Sequence, residues 1–188
     1  GIYLIDRPGS LQSVIMAGHT APAKADKMDI AIDMMNQLLG ESFTSRINMN
    51  IREEKHWSYG ASSYILDSLG ERPFIVQTSV QSDKTKEAVS EILKEIKDIL
   101  AEKPITEEEY SKVLKNKVLE LPGRWETMDA IQGSIIDIIH FGLPDSYYET
   151  YARTLKAQTL GDLSAAAKAT LKPDNIIWVI VGDVEKIE

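Results

Sequence analysis

The sequence predicts an α+β fold. Short apolar runs with strand character stand near both ends of the chain, an alternating hairpin pattern lies in its first half, and amphipathic helical patterns fill most of the remainder. Strands at the two ends with helices concentrated between them argue for helices layered on a sheet rather than regular βαβ winding.

Taken in order, Ile2 to Ile5 and Ser13 to Gly18 read as two strands around a turn at Arg7-Pro8-Gly9. From Asp26 to Leu39, the residues Met28, Ala31, Ile32, Met35, Leu38 and Leu39 recur with a helical period, and the methionines read as core filling. Gly40 reads as the stop of that helix and Ser42 or Thr44 as the cap of the next, which is expected to begin near Phe43. Ala61 to Leu66 and Phe74 to Val80 flank Gly70-Glu71-Arg72-Pro73 as a hairpin, whose second strand alternates as a half-buried strand does. Asp83 is expected to cap a helix with the apolar stripe Ala88, Ile92, Ile96, Ile99 and Leu100. Thr106 and Glu109 form a capping-box pair ahead of the next helix, which Pro122-Gly123 breaks or kinks. Helices are expected at Thr127 to His140, Ser146 to Leu155 and Thr159 to Thr170, and the unbroken apolar run Ile176 to Val181 suits a central strand. Gly9, Gly40 and Gly182 read as turn residues.

The 188 residues are expected to form a single domain, 1–188. At this length roughly 70% of the unfolded surface can be buried. A content of 43% hydrophobic and 27% charged residues is that of a soluble globular protein, and no apolar stretch is long enough to span a bilayer, so membrane insertion is not expected. A net charge of -8 disfavours nucleic acid as the main partner, which normally requires a clustered basic face. The lack of cysteine excludes disulfides and thiolate chemistry and leaves the compartment open, the bacterial periplasm and the cytoplasm both being expected ahead of the membrane. The opening Gly1-Ile2-Tyr3 reads as the start of an excised domain or processed piece.

Much familiar chemistry is missing. Histidine occurs only at positions 19, 56 and 140, so no helix carries an H-x-x-E-H or H-E-x-x-H motif, and no metal ligand or cofactor-binding residue is expected in this chain. His19 and His140 read as capping or surface residues. No G-x-S-x-G elbow and no phosphate-binding G-x-x-x-x-G-K loop is present.

The segment Leu39 to Tyr59 concentrates the remaining signal. Leu38-Leu39-Gly40, Ser42-Phe43, Ser45-Arg46, Ile51-Arg52-Glu53 and Tyr59-Gly60 follow each other in an order that resembles the C-terminal, non-zinc-binding (inactive) half of the pitrilysin/insulinase family of zinc metallopeptidases, which includes the mitochondrial processing peptidases. Arg7-Pro8-Gly9 with Gln12, Phe141-Gly142-Leu143-Pro144 with Tyr147-Tyr148, and Val181-Gly182-Asp183 extend the resemblance over nearly the whole chain. It implies a mixed, largely antiparallel sheet with helices packed on one face, and a site formed between two similar halves. Zinc is then expected in the partner half, in cis or in trans, with a peptide or unfolded polypeptide as substrate.

Arg52 and Tyr59 match the spacing of the family's Arg/Tyr pair and are the expected catalytic residues. A guanidinium and a phenol can together hold a peptide carbonyl and stabilise the oxyanion formed from it, whereas neither can activate water. Residue types alone favour an arginine paired at a helix end and a tyrosine half-buried beside a strand; the surrounding motif reverses that preference. Ser45 and Arg46 read as structural, and Trp57, Trp125 and Trp178 as core or interface anchors. The rival function is a proteolytically inactive subunit that uses the same fold for assembly.

Overall fold

The computed structural model describes residues 1–187. Strands β1 (Ile2–Asp6), β2 (Gln12–Ala21), β3 (Ser58–Ile65), β4 (Arg72–Gln81) and β5 (Ile177–Gly182) form one sheet in the order β1-β5-β2-β4-β3. β1 and β5 run parallel, and the other three pairings are antiparallel. The sheet is therefore mixed and largely antiparallel, as expected. The two expected strands form around the Arg7-Pro8-Gly9 turn but are not sheet neighbours: β5 inserts between β1 and β2, pairing Ile2 with Trp178 on one side and Ala17 with Trp178 on the other. Its unbroken apolar run suits this interior position.

Among the described residues the seven α-helices are α1 (Asp29–Asn36), α2 (Arg46–Asn48), α3 (Thr85–Asp98), α4 (Glu107–Glu120), α5 (Met128–Phe141), α6 (Tyr147–Ala157) and α7 (Leu160–Thr170). They cover one face of the sheet, because Ile15, Ala17, Phe74, Val76, Val80, Trp178 and Ile180 are buried while the alternate residues Val14, Met16, Gln77 and Ile177 stay exposed. Ile92 and Ile96 of α3 and Leu163 and Ala166 of α7 complete that core. The Thr106–Glu109 capping box forms as expected, and Thr159 with Asp162 forms a second. Asp83 does not cap α3. A single tight turn starts one residue earlier, at Ser82, so Asp83 lies within the turn rather than ahead of the helix.

Two of the three glycines read as turn residues serve close packing instead. A Cβ on Gly40 would fall 2.6 Å from the Ser63 backbone nitrogen, and one on Gly182 would fall 3.0 Å from Ser13 Cβ. Gly9, with φ of 79°, is a true turn residue. Beneath the hairpin end, Arg72 (3% exposed) donates to Asp29 at 2.7 Å and Asp67 at 3.0 Å, and the Tyr147 hydroxyl donates to Asp29 at 2.8 Å. Burial, reinforced by the Asp29 charge, raises the Tyr147 hydroxyl far above its ordinary value.

Candidate functional site

α1 does not stop at Gly40 but continues through a wider turn, Gln37–Glu41, in which the Ser42 N–H reaches the Gln37 carbonyl at 3.2 Å. Residues 42–45 then form a turn closed by Ser45 N–H to the Ser42 carbonyl at 3.0 Å. α2 therefore starts at Arg46 rather than near Phe43, and neither Ser42 nor Thr44 caps it: Ser45 holds the N-cap position, and the Thr44 hydroxyl accepts from Lys112 instead. A second wide turn, Met49–Glu54, carries α2 onward, with Lys55 N–H bonded to the Asn50 carbonyl at 3.0 Å. Such widened turns are uncommon and recur at functional positions in proteins. Here one directly precedes the Ser42–Ser45 turn and the other directly follows α2.

Ile47 and Ile51 are fully buried and anchor this segment, while Arg52 emerges on the other side. Its guanidinium lies 4.6 Å from the Phe43 ring centroid and 3.4 Å from the Glu53 carboxylate. Both members of that ion pair are more than a third exposed, so the pair orients Arg52 weakly and leaves its remaining donors available. The segment ends at His56, whose φ of 59° is left-handed and whose N–H closes onto the Arg52 carbonyl at 3.2 Å. This reversal turns the chain at once into β3.

Tyr59 sits on a β-bulge. Ser58 pairs with Val80 and Ala61 with Thr78, so two residues of β3 oppose the single Ser79 of β4. The bulge turns Tyr59 out of the sheet to 90% exposure, against the half-buried position that residue type alone favours. A knot of hydrogen bonds fixes it: Ser58 Oγ donates to the Gly60 carbonyl at 2.8 Å, and Thr78 Oγ1 donates to the same carbonyl at 2.9 Å. Asn48, 5% exposed, joins the two functional elements, since its Oδ1 accepts from Ala61 N–H at 3.1 Å and its Nδ2 donates to the Phe43 carbonyl at 2.6 Å. Asn48 carries little sequence signal beyond an amide side chain one turn before Arg52, and Asn50 shares that segment's buried side with it.

Arg52 and Tyr59 line one cavity of about 640 Å³, with Phe43, Asn48 and Gln77 among its walls. An adjoining cavity of about 400 Å³ also borders both, together with His56 and Trp57. The structure thus brings the two expected site residues to one place. Glu41 stands at the edge, exposed as a residue but with its carboxylate turned towards Asn36 at 3.4 Å. Desolvation, helped by the Asp33 charge and opposed by Lys117, raises that carboxyl above its ordinary 4.5. The arrangement offers positive charge and hydroxyl donors to a carbonyl oxygen. The Ser58 hydroxyl is spent on Gly60, so it offers no poised nucleophile.

The histidines do not come together. His19 stacks on Phe74 at 4.8 Å and its Nε2 accepts the Lys172 N–H at 3.2 Å, a structural use that agrees with burial lowering its basicity. His140 packs edge-on against Phe141 on α5. Among the described residues, no three His, Cys, Asp or Glu side chains are grouped as a metal ion would require. Ser45 and Arg46 are structural, with the Arg46 guanidinium forked onto Glu109 at 2.7 and 2.6 Å.

Residues 1–117 match the family model described as the peptidase M16 inactive domain, the C-terminal domain of the pitrilysin-type proteases. The chain belongs to this family. Its fold is that of a peptidase M16 inactive domain from Pseudomonas fluorescens (TM-score 0.86, 23% identity, 97% of this chain and 43% of that one). A protease from Helicobacter pylori is similar as well (TM-score 0.85, 20% identity, 96% of this chain and 43% of that one). So is a chain of complex III2 from Candida albicans (TM-score 0.77, 12% identity, 100% of this chain and 47% of that one). This M16 chain therefore spans less than half the length of these structural relatives. No curated protein matches its sequence. Among the described residues, no helix is long and apolar enough to cross a membrane.

Proposed function

We propose that this M16 domain is the non-catalytic half of a zinc metallopeptidase, enclosing and orienting a peptide and lending Arg52 and Tyr59 to amide-bond hydrolysis. The observation that carries this reading is the shared cavity of Arg52 and Tyr59, with the left-handed His56 turning the chain from Arg52 into β3 and the bulge turning Tyr59 outward. Zinc on the other half, linked or separate, supplies the Lewis acid that activates water. Arg52 holds the scissile carbonyl through its fixed positive charge, and Tyr59 donates its phenolic proton to the same oxygen as negative charge develops there. The exposed sheet face beside them, with Val14, Met16 and Gln77, forms one wall of the enclosure. Alone, the chain cleaves nothing.

Exposed apolar side chains on α5, namely Met128, Ile131, Ile135 and Ile139, offer a face for the partner half. The same feature, with the likeness to a chain of complex III2, supports the alternative of an inactive assembly subunit. Kinetics separate the two. In the assembled enzyme, Arg52→Ala is expected to lower kcat/KM by about 10²-fold, the scale of one lost oxyanion donor; an unchanged value removes Arg52 from the chemistry.

A further inference from the structure

On the side of the 46–54 segment turned away from Arg52, Met49, Asn50 and Glu54 face a separate cavity of about 620 Å³, bounded by Glu95 of α3 and by the stretch from Glu102 to Glu109. It shares no lining residue with the two cavities that border Arg52 and Tyr59. Its interior is electrostatically incomplete. Glu95 is 8% exposed and Asn50 6%, and Asn50 Nδ2 donates to Glu95 at 2.7 Å and to Glu91 at 2.9 Å, so one neutral amide serves two carboxylates. Among the described residues no lysine or arginine pairs with Glu95, and Glu91 has only the solvent-exposed Lys94, at 4.0 Å. Asn50 Oδ1 is buried with no hydrogen-bond partner.

A buried carboxylate without a cation and a buried carbonyl without a donor each cost free energy, and both residues line this one cavity. The cations already there are committed. Arg46 is forked onto Glu109 and also donates to the Lys103 and Pro104 carbonyls, while Lys103 pairs with Asp98 at 3.5 Å. The complement is a cation from outside that carries several donors. The acceptors are not grouped as a metal ion would require, and a side-chain guanidinium or ammonium can spread its donors over separate oxygens.

We propose that this cavity binds the basic side chain of an arginine or lysine from another polypeptide segment, with Glu95 and Asn50 Oδ1 as its inner acceptors and Glu54 and Glu102 at its rim. The site is independent of the peptidase reading, because its lining shares no residue with the cavities that Arg52 and Tyr59 border. The test is an NMR titration of the isotope-labelled chain with N-acetyl-arginine methylamide, its uncharged citrulline counterpart, and calcium ion. The expected result is a saturable shift of the Ile105 and Thr106 amides with the arginine compound only. Glu95→Gln should weaken binding about tenfold, as for one lost charge-assisted hydrogen bond. Glu102→Gln, on the exposed rim, should weaken it in the same direction and serves if the first variant does not fold. Arg52→Ala should bind as the parent chain does. An equal response to the citrulline compound, undiminished affinity in a folded Glu95→Gln or in Glu102→Gln, or displacement of the arginine compound by calcium overturns the proposal.

Discussion

Tyr59 owes its exposure to its neighbours. Ser58, Gly60 and Thr78 hold the bulge, and Asn48 fastens the bulged strand to the segment that carries Arg52. Asn48→Ala strands the Ala61 N–H and the Phe43 carbonyl, and is expected to cost about 1–3 kcal/mol in urea denaturation. In the assembled enzyme the same variant should lower kcat more than it raises KM, since it loosens the geometry of Arg52 and Tyr59 without removing either; a substitution without effect on either quantity would leave Asn48 without a positioning role. The joint placement of Arg52 and Tyr59 on one cavity was legible in the sequence because their spacing belongs to a recognisable motif. Asn48 was not, because its partners lie on a loop and a strand that only the fold brings beside it. The left-handed His56 left only a weak mark, since histidine is enriched at positive φ yet adopts it uncommonly.

At the scale of elements, Gly40 and the Arg46–Glu109 fork decide how the site segment is held. Gly40→Ala drives a methyl group into the Ser63 backbone, so β3 and the wide turn must separate; a loss of about 1–3 kcal/mol is expected, read as a lower midpoint in thermal or urea unfolding. Burial alone would raise the Glu109 carboxyl, but hydrogen bonds from Arg46 and the Thr106 backbone outweigh it and hold the carboxyl below its ordinary 4.5. A lowered folded-state value gives stability that is present above the unfolded value and lost as pH falls through the folded one. Glu109→Gln keeps a capping-box side chain, so it should lower stability at neutral pH and flatten the acid decline below about pH 4.5. An acid decline as steep as the parent's would show that the fork contributes nothing. Helix positions were read well where local signals govern them, as with the Thr106 cap and the three later helices. They were read less well where close packing governs: Gly40 sits inside a turn rather than ending it, and α2 begins later than its hydroxyls suggested. The insertion of β5 beside β1 is a pairing of the two chain ends that no local pattern encodes.

For the molecule as a whole, the unpartnered surfaces carry the argument. α5 has no buried residue although it is rich in isoleucine, and the chain spans less than half the length of the Pseudomonas fluorescens and Helicobacter pylori structures. Replacing Ile135 and Ile139 by Glu should leave the chain folded by circular dichroism while weakening its association with a zinc-bearing half, and unchanged association would move the contact elsewhere. The most direct test of the account is hydrolysis of a quenched-fluorescence peptide mixture by this chain alone, by the zinc-bearing half alone, and by the two combined. Activity in the combination only, largely lost with Arg52→Ala, is the predicted result. A demonstrated complex that gains no activity over the zinc-bearing half would contradict a role in hydrolysis and leave an assembly function in its place.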